Sequence, residues 1–219
     1  MRRYLAILVC LMSCCHSRAQ NDSLSYRLTP FVKGGLTIGF FEGKASNSSS
    51  VGHTGFHLEA GIQVPIRRGR VFNWCLIPSL RFITKGDTWE LDDGERAFAN
   101  MQYIEVPIDY AAQISTRKCK IWFGAGLYMG YGIGGRLYGS DNLYIYHGYR
   151  LKEEPAIFGS EVRANRWDSG LNLMGAVQLR HLYLSFDLDI GLTKVASGRL
   201  DGNNDSSAVA ISMSIGYTF

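Results

Sequence analysis

The chain predicts an all-β fold: an eight-stranded antiparallel transmembrane β-barrel, wound up-and-down as a meander. Three observations carry that expectation. Segments in which large apolar residues alternate with small or polar ones recur along the sequence, the period-2 pattern of a strand with two unlike faces. The connections between them alternate short and long, and 25 glycines spread along the chain disfavour long helices. No segment after the amino-terminal run reads as a membrane helix, so crossing falls to strands. In hydrocarbon every backbone donor and acceptor needs an internal partner, so the sheet must close on itself.

The chain starts with Arg2 and Arg3 ahead of a short apolar run, Leu5 to Met12, and Ser17-Arg18-Ala19 offers small residues before a cut at Gln20. Residues 1–19 therefore read as a cleaved secretory signal and 20–219 as the barrel domain. A competing reading takes Leu11-Met12-Ser13-Cys14 as a lipoprotein signal; it ranks second, because a barrel needs no lipid anchor.

The first strand, Phe31 to Phe41, carries Lys33 inward. The second, Gly55 to Ile66, lays Phe56, Leu58, Ala60, Ile62, Val64 and Ile66 on the lipid face, with His57 and Glu59 opposite. The third, Val71 to Thr84, turns Arg81 inward; the fourth, Met101 to Ile114, does so with Glu105 and Asp109. Glycines line the inner face of the fifth, Ile121 to Leu137, and Gly170 to Leu179 forms the sixth. In the seventh, Leu182 to Val195, Leu182, Leu184, Phe186, Leu188, Ile190 and Leu192 face lipid while Asp187 and Asp189 face the lumen. The eighth, Ser207 to Phe219, sets Val209, Ile211, Met213, Ile215, Tyr217 and Phe219 against Ala210, Ser212, Ser214, Gly216 and Thr218. Strands of this length suffice, since roughly 9 to 11 tilted residues cross a bilayer.

Charge facing lipid costs roughly 2 to 4 kcal/mol for Arg or Lys, whereas inside a barrel it is paired. Lys33, Glu59, Arg81, Glu105, Asp109, Asp187 and Asp189 are thus the expected lumen network. Its two cations cannot neutralise five carboxylates, so water, a protonated carboxyl group or a misassigned residue is expected among them. Short connections at Arg67 to Arg70, Ser115 to Lys120 and Arg180-His181, set against long ones at 42–54, 85–100, 138–169 and 196–206, place both termini in the periplasm. Trp74, Trp122, Tyr183, Tyr217 and Phe219 gather near the short-turn end, as an interfacial girdle does.

The formal charge of +4 does not outlast processing: the 23 Lys and Arg lose Arg2, Arg3 and Arg18, leaving 20 against 19 acidic residues. Nucleic-acid binding, which needs a basic surface, is excluded as a class. Cys10, Cys14 and Cys15 leave with the signal. Cys75 and Cys119 remain, to be read as a disulfide or, slightly favoured, as one strand-buried and one turn thiol.

The stretches Tyr103-Ile104-Glu105-Val106-Pro107-Ile108, Ile77-Pro78-Ser79-Leu80-Arg81-Phe82 with Lys85-Gly86, Gly124-Ala125-Gly126-Leu127-Tyr128, Arg166-Trp167-Asp168-Ser169-Gly170 and the terminal Gly216-Tyr217-Thr218-Phe219 resemble, in order and spacing, the outer-membrane β-barrel domain family that includes the PorT-like proteins of Gram-negative bacteria. That resemblance covers nearly the whole mature chain. It implies residence in the outer membrane, among its lipid and lipopolysaccharide, and insertion by the barrel assembly machinery, which reads a terminal aromatic signal, here Tyr217 and Phe219. It implies no particular activity.

Gly130-Tyr131-Gly132-Ile133-Gly134-Gly135 matches a dinucleotide fingerprint in letters only, because it lies inside a strand with no helix after it. Inward glycines there make room for larger lumen side chains. Asp201-Gly202-Asn203-Asn204-Asp205 lacks the glycine and glutamate of a calcium loop, and reads as a solvated turn, as does Asp92-Asp93-Gly94-Glu95. His53, His57, His147 and His181 show no metal spacing. No metal and no cofactor is expected.

The third long connection is the most distinctive. Tyr144, Tyr146, Tyr149 and Trp167 stand there among charges, fit for an unidentified extracellular partner, with packing over the barrel mouth as the equal alternative; Leu143 to Tyr146 offers a hairpin above the membrane. The expected role is a structural or surface-interaction protein with a filled lumen rather than an enzyme. A transport or secretion helper of PorT-like type ranks second, a lipid-modifying enzyme third, and a soluble lipocalin-type barrel fourth.

Overall fold

The computed structural model describes residues 28–42, 49–50, 52–90, 96–116, 118–138, 145–146, 149–150, 156–159, 164–196 and 206–219. Eight long strands dominate: β1 (Thr29–Glu42), β2 (His53–Arg68), β3 (Asn73–Glu90), β4 (Arg96–Ser115), β5 (Lys120–Tyr138), β6 (Trp167–Leu179), β7 (Leu182–Ala196) and β8 (Ser206–Thr218). Each pairs antiparallel with the next, and β8 pairs back on β1 from Phe31↔Thr218 to Glu42↔Ser207. The meander is therefore closed and leaves no edge. Among the described residues there is no helix.

Period-2 burial runs through the barrel. Lys33, His57, Glu59, Arg81, Glu105, Asp109, Asp187 and Asp189 are buried, while Phe56 (50% exposed), Leu58 (60%), Leu184 (42%) and Met213 (68%) stand on the outer wall. An outer surface so continuously apolar is not tolerated in water and suits hydrocarbon. This distribution, polar inside and apolar outside, is the reverse of the lipocalin-type alternative.

All eight expected strands form; most ends shift by one or two residues and three shift by three or more. β3 runs to Glu90 and β4 starts at Arg96, so the hairpin expected to open into a loop at Lys85 continues as paired sheet, Thr84↔Gln102 through Glu90↔Arg96. β6 begins at Trp167 rather than Gly170, with Tyr131↔Trp167 in register. In both cases the backbone ladder continues past the residues that look like turn formers; β6 keeps its alternation there, whereas Ile83 to Asp87 of β3 are all buried. The Ile145–Tyr146 stretch pairs with Tyr149–Arg150 as a separate two-stranded sheet rather than an extension of the barrel.

At the long-loop end β2 and β3 part after His57↔Ile83. Thr84 replaces the lost ladder: its Oγ1 accepts from Phe56 N at 2.7 Å and donates to Phe56 O at 3.1 Å. Beyond it the β3 backbone leans towards β1, where an added Cβ on Gly39 would stand 2.7 Å from Gly86 N. The buried Asp87 carboxylate accepts from Phe41 N at 3.1 Å and Gly52 N at 3.3 Å, tying the start of the first long connection to its end.

The short-turn end is tighter. Arg180, the first residue of the two-residue turn to β7, has φ 54°, in the left-handed region that favours glycine. Thr218 N donates to His181 O at 2.8 Å, and Phe219 N donates to Pro30 O at 3.0 Å, extending the β1–β8 seam to the last residue.

The girdle needs correction. Trp122 and Tyr183 are 2% and 1% exposed and point into the lumen, because their parity on β5 and β7 is that of the inner face. The outer aromatic contacts at this end include Trp74 stacked on Tyr110 at 5.1 Å and Phe72 against Phe123 at 5.8 Å; elsewhere around the barrel, on β8, Tyr217 meets Phe219 at 5.1 Å. Cys75 is buried and Cys119 half-buried in the turn, and both are free thiols.

Candidate functional site

The lumen is built in three layers. Next to the short turns, Phe31, Cys75, Ile77, Trp122, Met174 and Tyr183 form an apolar layer, with the Phe31 and Tyr183 rings 5.7 Å apart. The same end also buries Gln63, Gln113, Gln178 and Thr218, so polar side chains share this level with the apolar cluster. Next to the long loops, Ile83, Met101, Tyr103, Leu137, Ile157 and Val195 form a second apolar cluster.

That second cluster includes a loop segment. Ile157 N donates to Gly135 O at 3.1 Å and Ala164 N to Ile157 O at 3.1 Å, so residues 156–159 are held inside the mouth by backbone bonds. The Phe158 ring occupies the space a side chain at Gly132 would need, and meets Tyr103 edge-on at 5.8 Å. Arg166 lies 5.2 Å from the Phe158 ring centre and donates to Gly132 O at 2.9 Å.

Between the apolar layers lie the charges. Lys33 Nζ contacts Asp187 Oδ2 at 2.8 Å, Glu59 Oε2 at 3.4 Å and Ser185 Oγ at 3.2 Å. Arg81 Nη2 contacts Glu105 Oε2 at 2.7 Å and Asp189 Oδ2 at 2.8 Å, with Nη1 4.0 Å from Glu59. Asn172 Nδ2 donates to Asp189 Oδ1 at 2.6 Å. Beside them, the two ring nitrogens of His57 bond Thr37 Oγ1 at 3.0 Å and Ser214 Oγ at 2.6 Å.

Sequence reasoning missed two members. Lys85 Nζ lies 2.6 Å from Glu105 Oε1 and 3.0 Å from Asp168 Oδ2, and 4.3 Å from the Tyr128 ring centre. The Tyr128 hydroxyl donates towards Asp168 at 3.3 Å. The signal was present: Arg81, Ile83 and Lys85 share parity on β3, as do Asp168, Gly170 and Asn172 on β6. Lys85 supplies a third cation, but Asp168 adds a sixth carboxylate, so the expected excess of negative charge remains. Asp109 shows it: it packs against Gly126, and its Oδ1 has no hydrogen-bond partner among the described residues.

Gly126, Gly130 and Gly132 make the inner face of β5 a groove, filled by Asp109, Glu105 and Phe158 in turn. Of the expected partner-binding residues, Trp167 stands on the outer wall of β6, 55% exposed and edge-on to Tyr131 at 5.1 Å. Tyr146 and Tyr149 belong to the small separate sheet. Tyr144, His147, the signal residues 1–19, residues 20–27 of the expected barrel domain and the acidic stretches 92–95 and 201–205 lie outside the described residues.

A closed antiparallel meander with a lipid-type outer wall and a charged interior defines a transmembrane β-barrel. The chain belongs to the outer membrane protein beta-barrel domain family, whose sequence model matches residues 19–197; only β8 lies beyond the match. It is an outer-membrane protein. Similar solved structures include Ail of Yersinia pestis in complex with the heparin analogue sucrose octasulfate (12% identity, 88% of this chain and 99% of that one, TM-score 0.45). OprG from Pseudomonas aeruginosa is 10% identical over 89% and 97% of the two chains, with TM-score 0.45. Neisserial surface protein A is 10% identical over 87% and 97%, with TM-score 0.43. No curated protein matches the sequence.

Proposed function

We propose that the protein is a structural or surface-interaction barrel whose lumen is filled, acting through its long-loop end rather than by catalysis or solute diffusion. One observation carries this reading: the buried ion-pair layer lies between two buried apolar layers. Eight strands enclose an interior about wide enough for side chains alone. A Ser–His contact exists, His57 with Ser214, but both residues are buried in the lumen, which disfavours a lipid-modifying role.

The long connections face the cell exterior and both termini the periplasm, as in bacterial barrels with short periplasmic turns. The partners are then outer-membrane lipid, lipopolysaccharide, the assembly machinery that takes up Tyr217 and Phe219, and an exterior ligand at the end bearing Trp167. Planar-bilayer recording of the purified protein is expected to show no stable large conductance; reproducible open-channel currents would overturn the filled lumen and move transport to first place. Cys119 tests the orientation. A membrane-impermeant maleimide should leave it unlabelled on intact cells and label it once the outer membrane is permeabilised, with Cys75 protected throughout.

A further inference from the structure

The three short turns have one-signed charge. Arg67-Arg68-Gly69-Arg70, Arg117-Lys118-Cys119-Lys120 and Arg180-His181 contain no Asp or Glu, whereas the long connections mix both signs. Arg67, Arg68, Arg70, Lys118, Lys120 and Arg180 are exposed. None of them has an ion pair among the described residues. Among the described residues no carboxylate pairs with this ring.

Its depth is fixed by its neighbours. Ile66 and Val71 flank the first turn, Ile121 follows the second, and Leu179 and Leu182 flank the third, all exposed on the lipid wall. A cation one residue from a lipid-facing side chain, in a turn this short, cannot leave the headgroup layer; its long stem lies along the apolar wall and its charge reaches the phosphates. The outer aromatics Phe72, Trp74, Tyr110 and Phe123 mark the same level. Arg180 keeps its charge at a backbone position that favours glycine.

We propose that the short-turn end is a phosphate-binding ring for anionic phospholipids of the facing leaflet, which is the inner leaflet under the orientation proposed above, on which this inference rests. The cations act as separate headgroup contacts, set around the barrel by the turns that carry them. A soluble acidic protein is the weaker candidate, because the flanking apolar residues hold the cations at the membrane surface rather than above it.

The test uses the folded full-length mature protein in phosphatidylcholine vesicles with trace spin-labelled phosphatidylglycerol or spin-labelled phosphatidylcholine. The motionally restricted fraction gives their relative association. Phosphatidylglycerol should be preferred about fivefold at low salt, the factor for one surface cation acting on one headgroup, and the preference should approach parity at about 1 M salt. The combined variant Arg67→Gln, Arg68→Gln, Arg70→Gln, Lys118→Gln and Lys120→Gln should lose most of the preference while keeping its heat-modified gel shift. If that variant does not fold, the salt series on the unmutated protein decides. Equal association at low salt, or a preference surviving both salt and substitution, overturns the proposal. Labelling of Cys119 on intact cells would refute the orientation instead; with the lipid preference intact it would assign the ring to outer-leaflet phosphates and overturn the leaflet stated here.

Discussion

Replacing Arg81 with alanine removes the cation at the centre of the lumen. The guanidinium is 1% exposed and contacts carboxylates of β4 and β7 at 2.7 and 2.8 Å, with a third on β2 at 4.0 Å. Each short contact attracts by about 6 kcal/mol at an effective dielectric of about 20. Burying each ion costs several kcal/mol, so these attractions do not add up to a net gain. The cost of deletion is set by what is left behind. Glu105 keeps Lys85 at 2.6 Å, but Asp189 retains only the amide of Asn172 as a close partner. Leaving one buried carboxylate without its cation places the expected loss at about 3 to 5 kcal/mol, nearer 3 where water enters the space. Urea unfolding in vesicles, followed by the gel shift between folded and unfolded forms, measures it. Lys118→Gln, at an exposed turn position and in vesicles of phosphatidylcholine alone, is the control and should change stability by less than about 0.5 kcal/mol. A double-mutant cycle with Asp189→Asn should show coupling of about 1 kcal/mol or more. A loss below about 1 kcal/mol for Arg81→Ala, or additive effects in the cycle, would refute the view that these contacts hold the barrel together. Permeability should change less than stability, since both apolar layers remain.

Lys85→Met should lower stability by about 3 kcal/mol, because Asp168 then keeps only the Tyr128 hydroxyl of its two close partners; the same urea assay reads it, and a stabilised barrel would contradict it. Gly132→Val puts methyl groups where the Phe158 ring lies, so the segment at 156–159 should leave the mouth and be cut faster by protease at native conditions, with a stability loss of about 1 to 3 kcal/mol; unchanged cleavage would mean the ring is not held there. Removing Phe219, or replacing it with serine, should reduce assembled barrel in the outer membrane while export continues, giving periplasmic accumulation or degradation. Its side chain is 67% exposed and holds little of the interior, so undiminished assembly would show that the terminal aromatic is not a signal.

The strand count, the lipid wall and the inward set from Lys33 to Asp189 were legible in the amino-acid order, because a strand alternates its faces every residue and only one face tolerates hydrocarbon. The same rule, carried past Thr84 and back from Gly170, turns Lys85 and Asp168 inward as well; Gly86 and Ser169-Gly170 look like turn formers and mask that continuation. Parity also placed Trp122 and Tyr183 inside, against their appearance as girdle residues. Alternation says which way a side chain points, but not which one it meets. That Arg81 on β3 reaches Asp189 on β7, and that Phe158 fills the space left by Gly132, was decided by closure: stagger and tilt set the heights at which distant strands face one another, and no local pattern encodes that height.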